Sequence, residues 1–141
     1  MKNFKKLLTL LLVGVVLMLI IGCATTPSTS DETIQDFVKI VVDKDYMDID
    51  GAKLIDYMQA LKEDGSLDYA EDSGMITSIN GKANTADYSV CWMLYTDDAE
   101  LSNTAWGTVE IDGKIYASAI SGANDMAIKD GATYVWVYKA F

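Results

Sequence analysis

The chain contains no histidine and no arginine, so all 11 of its positive side chains are lysines. Without imidazole there is no Ser-His-Asp triad, no Cys-His pair and no histidine metal ligand. Without guanidinium there is no planar fork to clamp a phosphate or carboxylate. Carboxylates, lysine and tyrosine remain, but no spacing demands a convergent Lys-carboxylate or Tyr-carboxylate pair, and the chain is read as a non-enzyme. Proline is nearly absent, with Pro27 the single example. The glycines fall in turns, and no glycine-rich phosphate loop is present. Positive charge is scarce: 11 Lys+Arg stand against 21 Asp+Glu, for a net charge of −10. So acidic a chain is repelled by nucleic-acid phosphates and anionic lipid headgroups, which excludes nucleic acid as a partner class.

What the sequence does have is one long apolar run near its start. Met1 to Lys6 is short and basic, and Leu7 to Ile21 carries no charge. A helix over that run would span roughly 22 Å, short of the roughly 30 Å hydrocarbon core of a bilayer. It therefore reads as a secretory signal over residues 1–22 rather than a permanent membrane span. Ile20-Ile21-Gly22-Cys23 resembles the lipobox of bacterial lipoproteins, which implies that Cys23 is lipidated and anchors an extracytoplasmic domain to the cell membrane. The alternative is an uncleaved anchor that ends in Gly-Cys, which leaves the domain on the same side. Taking 22 residues from 141 leaves 119, enough for one domain with its own core. With Lys2, Lys5 and Lys6 removed, that part holds 8 positive and 21 negative groups, net −13. Residues 23–32 are small and polar, a flexible tether. If Cys23 is acylated, Cys91 has no partner in the chain and no disulfide framework exists. Cys91 then reads as a small buried hydrophobe, with a reactive thiol as the alternative.

The folded part is expected over residues 33–141. Thr33 to Val42 is rich in β-branched residues and predicts a strand. Asp43 to Asp50 alternates enough for a second short strand or hairpin arm. Asp50 is placed as N-cap of a helix from Gly51 to Asp64, with Leu54, Met58 and Leu61 on one stripe and Ile55 beside it. Asp64-Gly65 supplies its stop. Further strands are expected over Met75 to Ile79, closed by Asn80-Gly81, and over Ser89 to Tyr95. Trp106 to Ile111 and Lys114 to Ala119 form a hairpin about Asp112-Gly113. Asp130-Gly131 leads to a last strand, Ala132 to Lys139. There Tyr134, Trp136 and Tyr138 face one way and Val135 and Val137 the other, the valines being the expected inward pair. One helix packed on a mixed sheet, with an extra hairpin, is an α+β layout of the β-grasp (ubiquitin-like) kind.

The order Leu54 to Leu61, then Met75-Ile76-Thr77-Ser78-Ile79-Asn80-Gly81, then Cys91-Trp92-Met93-Leu94-Tyr95, then Lys129 to Trp136 resembles the DUF4430 family. That family is similar to the C-terminal β-domain of transcobalamin and intrinsic factor, and the resemblance covers roughly residues 33–141. It implies a β-grasp domain on a surface lipoprotein, with a corrinoid such as cobalamin as the captured ligand. The vertebrate carriers hold cobalamin between this domain and a separate helical barrel that is not read in this sequence. The hairpin within Thr96 to Ser121 is a further departure.

Trp92, Tyr95, Trp106 and Trp136 are the candidate ligand-binding residues, because flat rings suit stacking against a planar ligand. The competing reading is that most of them are core. Asp43, Asp45, Asp48 and Asp50 bring to mind Ca²⁺ coordination, but their spacing lacks the glycine and final glutamate of an EF-hand loop. They read as a solvated rim, as do Asp97, Asp98 and Glu100, and no metal is expected. Two functions follow: capture of a corrinoid-like ligand for an uptake transporter or surface partner, or a protein-interaction or adhesion module using a sheet edge or aromatic face.

Overall fold

The computed structural model describes residues 36–140. The signal over residues 1–22, Cys23, the tether over 23–32 and the start of the domain at Thr33 lie outside the described residues. The elements are β1 (Asp36–Val41), α1 (Leu54–Glu63), β2 (Tyr69–Asp72), β3 (Met75–Ile79), β4 (Lys82–Ala83), β5 (Val90–Thr96), β6 (Ser102–Ile111), β7 (Lys114–Ala119) and β8 (Thr133–Ala140). They build two sheets, a five-stranded one in the order β1-β8-β5-β7-β6 and a three-stranded one in the order β2-β3-β4. Together with the one short helix this is an α+β fold. The expected sheet was mixed, whereas every strand pair among the described residues is antiparallel.

The central pair is β5 with β8, matched over seven residues from Val90↔Ala140 to Thr96↔Tyr134. Because side chains alternate, β8 feeds two cores at once. Tyr134 and Trp136 face the helix side with Trp92, Leu94 and Ile40, and there they meet Leu54, Tyr57 and Met58 of α1 and Ile76 and Ile79 of β3. Val135 and Val137 face the other way and pack with Tyr95, Val109, Ile111 and Tyr116. The valines are thus inward, and so are Tyr134 and Trp136, because both faces of this sheet are covered.

The cover of the second face is the β6–β7 hairpin. β7 pairs with β5 only at Tyr95↔Ser118 and Thr96↔Ala117. Beyond that point the hairpin leaves the plane and arches back over the sheet. Its tip reaches β1 on the opposite edge, where Lys39 Nζ donates to Asp112 Oδ2 at 3.0 Å. Lys114, on the same tip, meets Asp97 at 2.5 Å. Asp112 and Gly113 both have positive φ, 54° and 75°, the pairing that a two-residue type I′ hairpin turn requires.

Three local expectations are corrected. Asp43 to Asp50 forms turns rather than a hairpin arm, since the Asp43 and Asp48 carboxylates accept the N–H groups of Asp45 and Asp50. The helix begins at Leu54, not Gly51, and Lys53 rather than Asp50 is its N-cap. Gly51 has a φ of 72°, incompatible with a right-handed first turn, and the Asp56 carboxylate accepts the Lys53 N–H at 2.8 Å. Leu61 and Ile55 are only half-buried while Tyr57 is fully buried, so the stripe is rotated toward Leu54, Tyr57 and Met58. Strands β2 and β4 have no counterpart in the sequence reading.

Candidate functional site

The four aromatic candidates do not share a surface. Trp92 and Trp136 lie together in the helix-side core, 6% and 4% exposed, and Tyr95, at 3%, lies in the core on the opposite face. Trp92 is fixed at both ends: its Nε1 donates to the Lys82 carbonyl at 2.8 Å, and its ring tilts against Tyr138 at 5.3 Å between centroids. Trp106 alone is open, at 62%. It stands on an excursion of β6 where the register to β7 breaks between Asn103 and Thr108. Cys91 is buried; burial pushes its thiol pKa up, so it behaves as a small apolar group.

In the acidic runs, the Asp43 and Asp48 carboxylates accept backbone N–H groups, and Asp97, Asp98 and Glu100 pair with lysines. No group of three or more His, Cys, Asp or Glu residues among the described residues is placed to hold a metal ion. Asp97 pairs with Lys114 and accepts the Thr133 N–H at 2.8 Å. Burial opposes its ionisation, but these partners outweigh it and hold the carboxyl below the usual range. Lys129 joins Asp98 at 2.9 Å and Glu100 at 2.5 Å.

A groove of about 580 Å³ runs between α1 and β2, lined by Ile55, Asp56, Gln59, Lys62, Tyr69 and Glu71 among others. It is open and polar. Lys62 is committed within it, donating to the Tyr69 carbonyl at 2.5 Å and sitting 4.8 Å from that ring's centroid. Burial, then the charges of Glu71 and Asp56, raises the Tyr69 phenol pKa. The one aromatic ring among these lining residues, Tyr69, has the Lys62 ammonium over it.

The remaining feature is the outer edge of β1. Among the described residues no strand pairs with that edge. Val42 N–H donates to Ala132 and its carbonyl accepts from Gly131, at 2.9 and 2.8 Å, so both its groups point toward β8. Alternation along an antiparallel strand then turns the N–H and C=O of Phe37, Lys39 and Val41 outward. Their side chains lie on the hairpin side, matched to Val137, Val135 and Thr133, yet the hairpin stops short of covering them. Phe37 is 43% and Val41 54% exposed. The far end of the edge is partly guarded, since the Tyr57 hydroxyl reaches the Val41 carbonyl at 3.4 Å. The opposite edge strand, β6, is interrupted by its excursion, so β1 is the unbroken edge of the large sheet. The sequence carried the Phe37-Lys39-Val41 alternation, but edge status depends on strand order, which alternation does not encode. No family model, curated protein or solved structure matches this chain.

Proposed function

We propose that this chain is a lipid-anchored extracytoplasmic interaction module that binds protein by adding a partner strand to β1. The observation that carries the reading is the unpaired β1 edge, with three outward pairs of backbone groups beside two exposed apolar side chains. Strand addition uses such an edge: backbone hydrogen bonds supply affinity, and alternate side chains supply specificity. The signal-like segment and Cys23 support the anchoring. The DUF4430 resemblance is what supports a β-grasp-type domain, with one helix beside the sheet; the antiparallel pairing of the first and last strands, β1 and β8, departs from that type. No catalytic residue is assigned.

The test places a photo-reactive side chain at Phe37 of the full chain in intact cells, with Ile115, 66% exposed on the hairpin, as control. An adduct at Phe37 but not at Ile115 is expected. It should vanish with Lys39→Pro, which removes an outward N–H while leaving the ladder to β8 intact. No adduct at Phe37 sinks the reading. Incorporation of a labelled fatty acid, abolished by Cys23→Ser, tests the anchor.

A second reading, capture of a corrinoid for an uptake transporter, is favoured by one observation, the open Trp106 indole. Titration with cobalamin should then quench Trp106 and be lost in Trp106→Ala; unchanged fluorescence removes it.

A further inference from the structure

The geometry points to a second copy of this chain as the strand that β1 accepts, an inference that rests on the edge-binding reading above. Take two β1 strands antiparallel about a two-fold axis through Lys39. Phe37 of one copy then stands opposite Val41 of the other, and the reverse holds by symmetry. Closed dimers of this isologous kind are the commonest oligomers. In this register the outward N–H and C=O groups of Phe37, Lys39 and Val41 all face partners. The Tyr57 contact at Val41 is long, and a carbonyl has a second lone pair for the incoming N–H. The two exposed apolar side chains of β1 cover each other twice on the hairpin side, an aromatic against a β-branched residue, which is a favourable cross-strand pair. On the helix side Val38 meets Ile40. The apolar layer of Val135 and Val137 therefore continues through Phe37 and Val41 into the other copy.

Charge is the obvious objection, and the structure answers it locally. Two lysines opposite each other repel, but each Lys39 ammonium is bound to Asp112 of its own hairpin tip at 3.0 Å. Asp36, at the other end of β1, is paired with Lys82. The interface thus brings together four neutralised ion pairs, two from each copy, although each copy without residues 1–22 carries 8 positive and 21 negative groups, net −13. The residual repulsion is long-range and screened by salt, so added salt should strengthen the dimer.

The experiment is disulfide trapping in the full chain, combined with the mass of the Phe37 photo-adduct. Opposed residues of a hydrogen-bonded antiparallel pair have Cα atoms about 5.5 Å apart, inside the span of a disulfide. Lys39→Cys alone should shift to twice the chain's mass under oxidation, because the two-fold axis passes through it. Phe37→Cys combined with Val41→Cys should do the same. Phe37→Cys alone should stay single, since its partner position is then Val41. The photo-adduct should also have twice the chain's mass. If Phe37→Cys alone crosslinks as well as the double variant, this register is overturned. If the photo-adduct has another mass and Lys39→Cys stays single, the second copy is wrong while strand addition to β1 stands. If there is neither adduct nor crosslink, both fall.

Discussion

Asp98, just beyond β5, shows how single side chains in this domain answer to pH. Its side chain is 9% exposed and its carboxylate meets Lys129 at 2.9 Å. The Lys129 ammonium beside it, working against burial, holds its carboxyl below the usual range. Lys129→Met keeps the aliphatic stem and removes the ammonium. A lower Tm and an upward shift in the Asp98 titration, followed by carboxyl NMR, are expected. Asp87 is held down to about 2, first by the Ser89 hydroxyl and then by the Ser89 N–H. A carboxyl with a depressed folded pKa stabilises the fold above its unfolded value of 3.8, and the contribution fades as pH falls through the folded value. Thermal melts should therefore stay level from neutral pH to about 5 and drop between about 4 and 2, less steeply in Asp87→Asn. The alkaline limb has the opposite sign. Burial, then the charge of Asp98, pushes the Tyr134 phenol from 10.0 up to about 12. Its neutral form favours the fold fully below pH 10.0, and stability is lost as pH rises toward the folded value. Tyr134→Phe should flatten that loss while forfeiting the hydrogen bond to the Ala127 carbonyl at 2.9 Å, a cost of about 1 kcal/mol.

Two turns show how much an element depends on one backbone angle. A Cβ built at Gly113 has no atom within 4 Å, so Gly113→Ala suffers only the left-handed backbone, φ 75°, at about 1–2 kcal/mol. A Cβ at Gly74 would stand 3.3 Å from Asn124 Nδ2 with φ 86°, so urea midpoints should fall further for Gly74→Ala than for Gly113→Ala. The turns at Asn80-Gly81, Asp112-Gly113 and Asp130-Gly131 were legible in the sequence because their chemistry is local, and the strands between them follow within a few residues. The helix start was not, because Asp50 has the chemistry of a cap while Gly51 has the backbone of a turn. Strand β2, Tyr-Ala-Glu-Asp, shows no alternation of apolar residues. Side-chain parity on β8 was also legible, but not its meaning. Parity separates two faces without saying whether either meets water, and here a hairpin from elsewhere in the chain covers one of them. That is why the sequence left Trp92, Tyr95 and Trp136 open as ligand-binding residues or core, where the structure buries all three, and why the β1 edge passed unnoticed.

At the scale of the whole molecule, β5 and β8 are shared walls between the two cores, so neither core can melt alone. Leu54→Ala in the helix-side core and Ile111→Ala under the hairpin should each cost about 2–5 kcal/mol. Tryptophan fluorescence and circular dichroism should give coincident transitions in both variants; separated transitions would show independent cores. The order of the strands has one more consequence. Asp36 lies opposite Tyr138, so the N-terminal end of β1 and the C-terminal end of β8 sit side by side at one end of the sheet. Tension applied between these two ends unzips the pair from Asp36 inward, breaking its ladder bonds one after another instead of loading them together. The Lys39–Asp112 bridge is the strut that such a tear meets partway. β1 is therefore the first strand that such a pull peels away, and when the tear reaches Ile40 it opens the helix-side core.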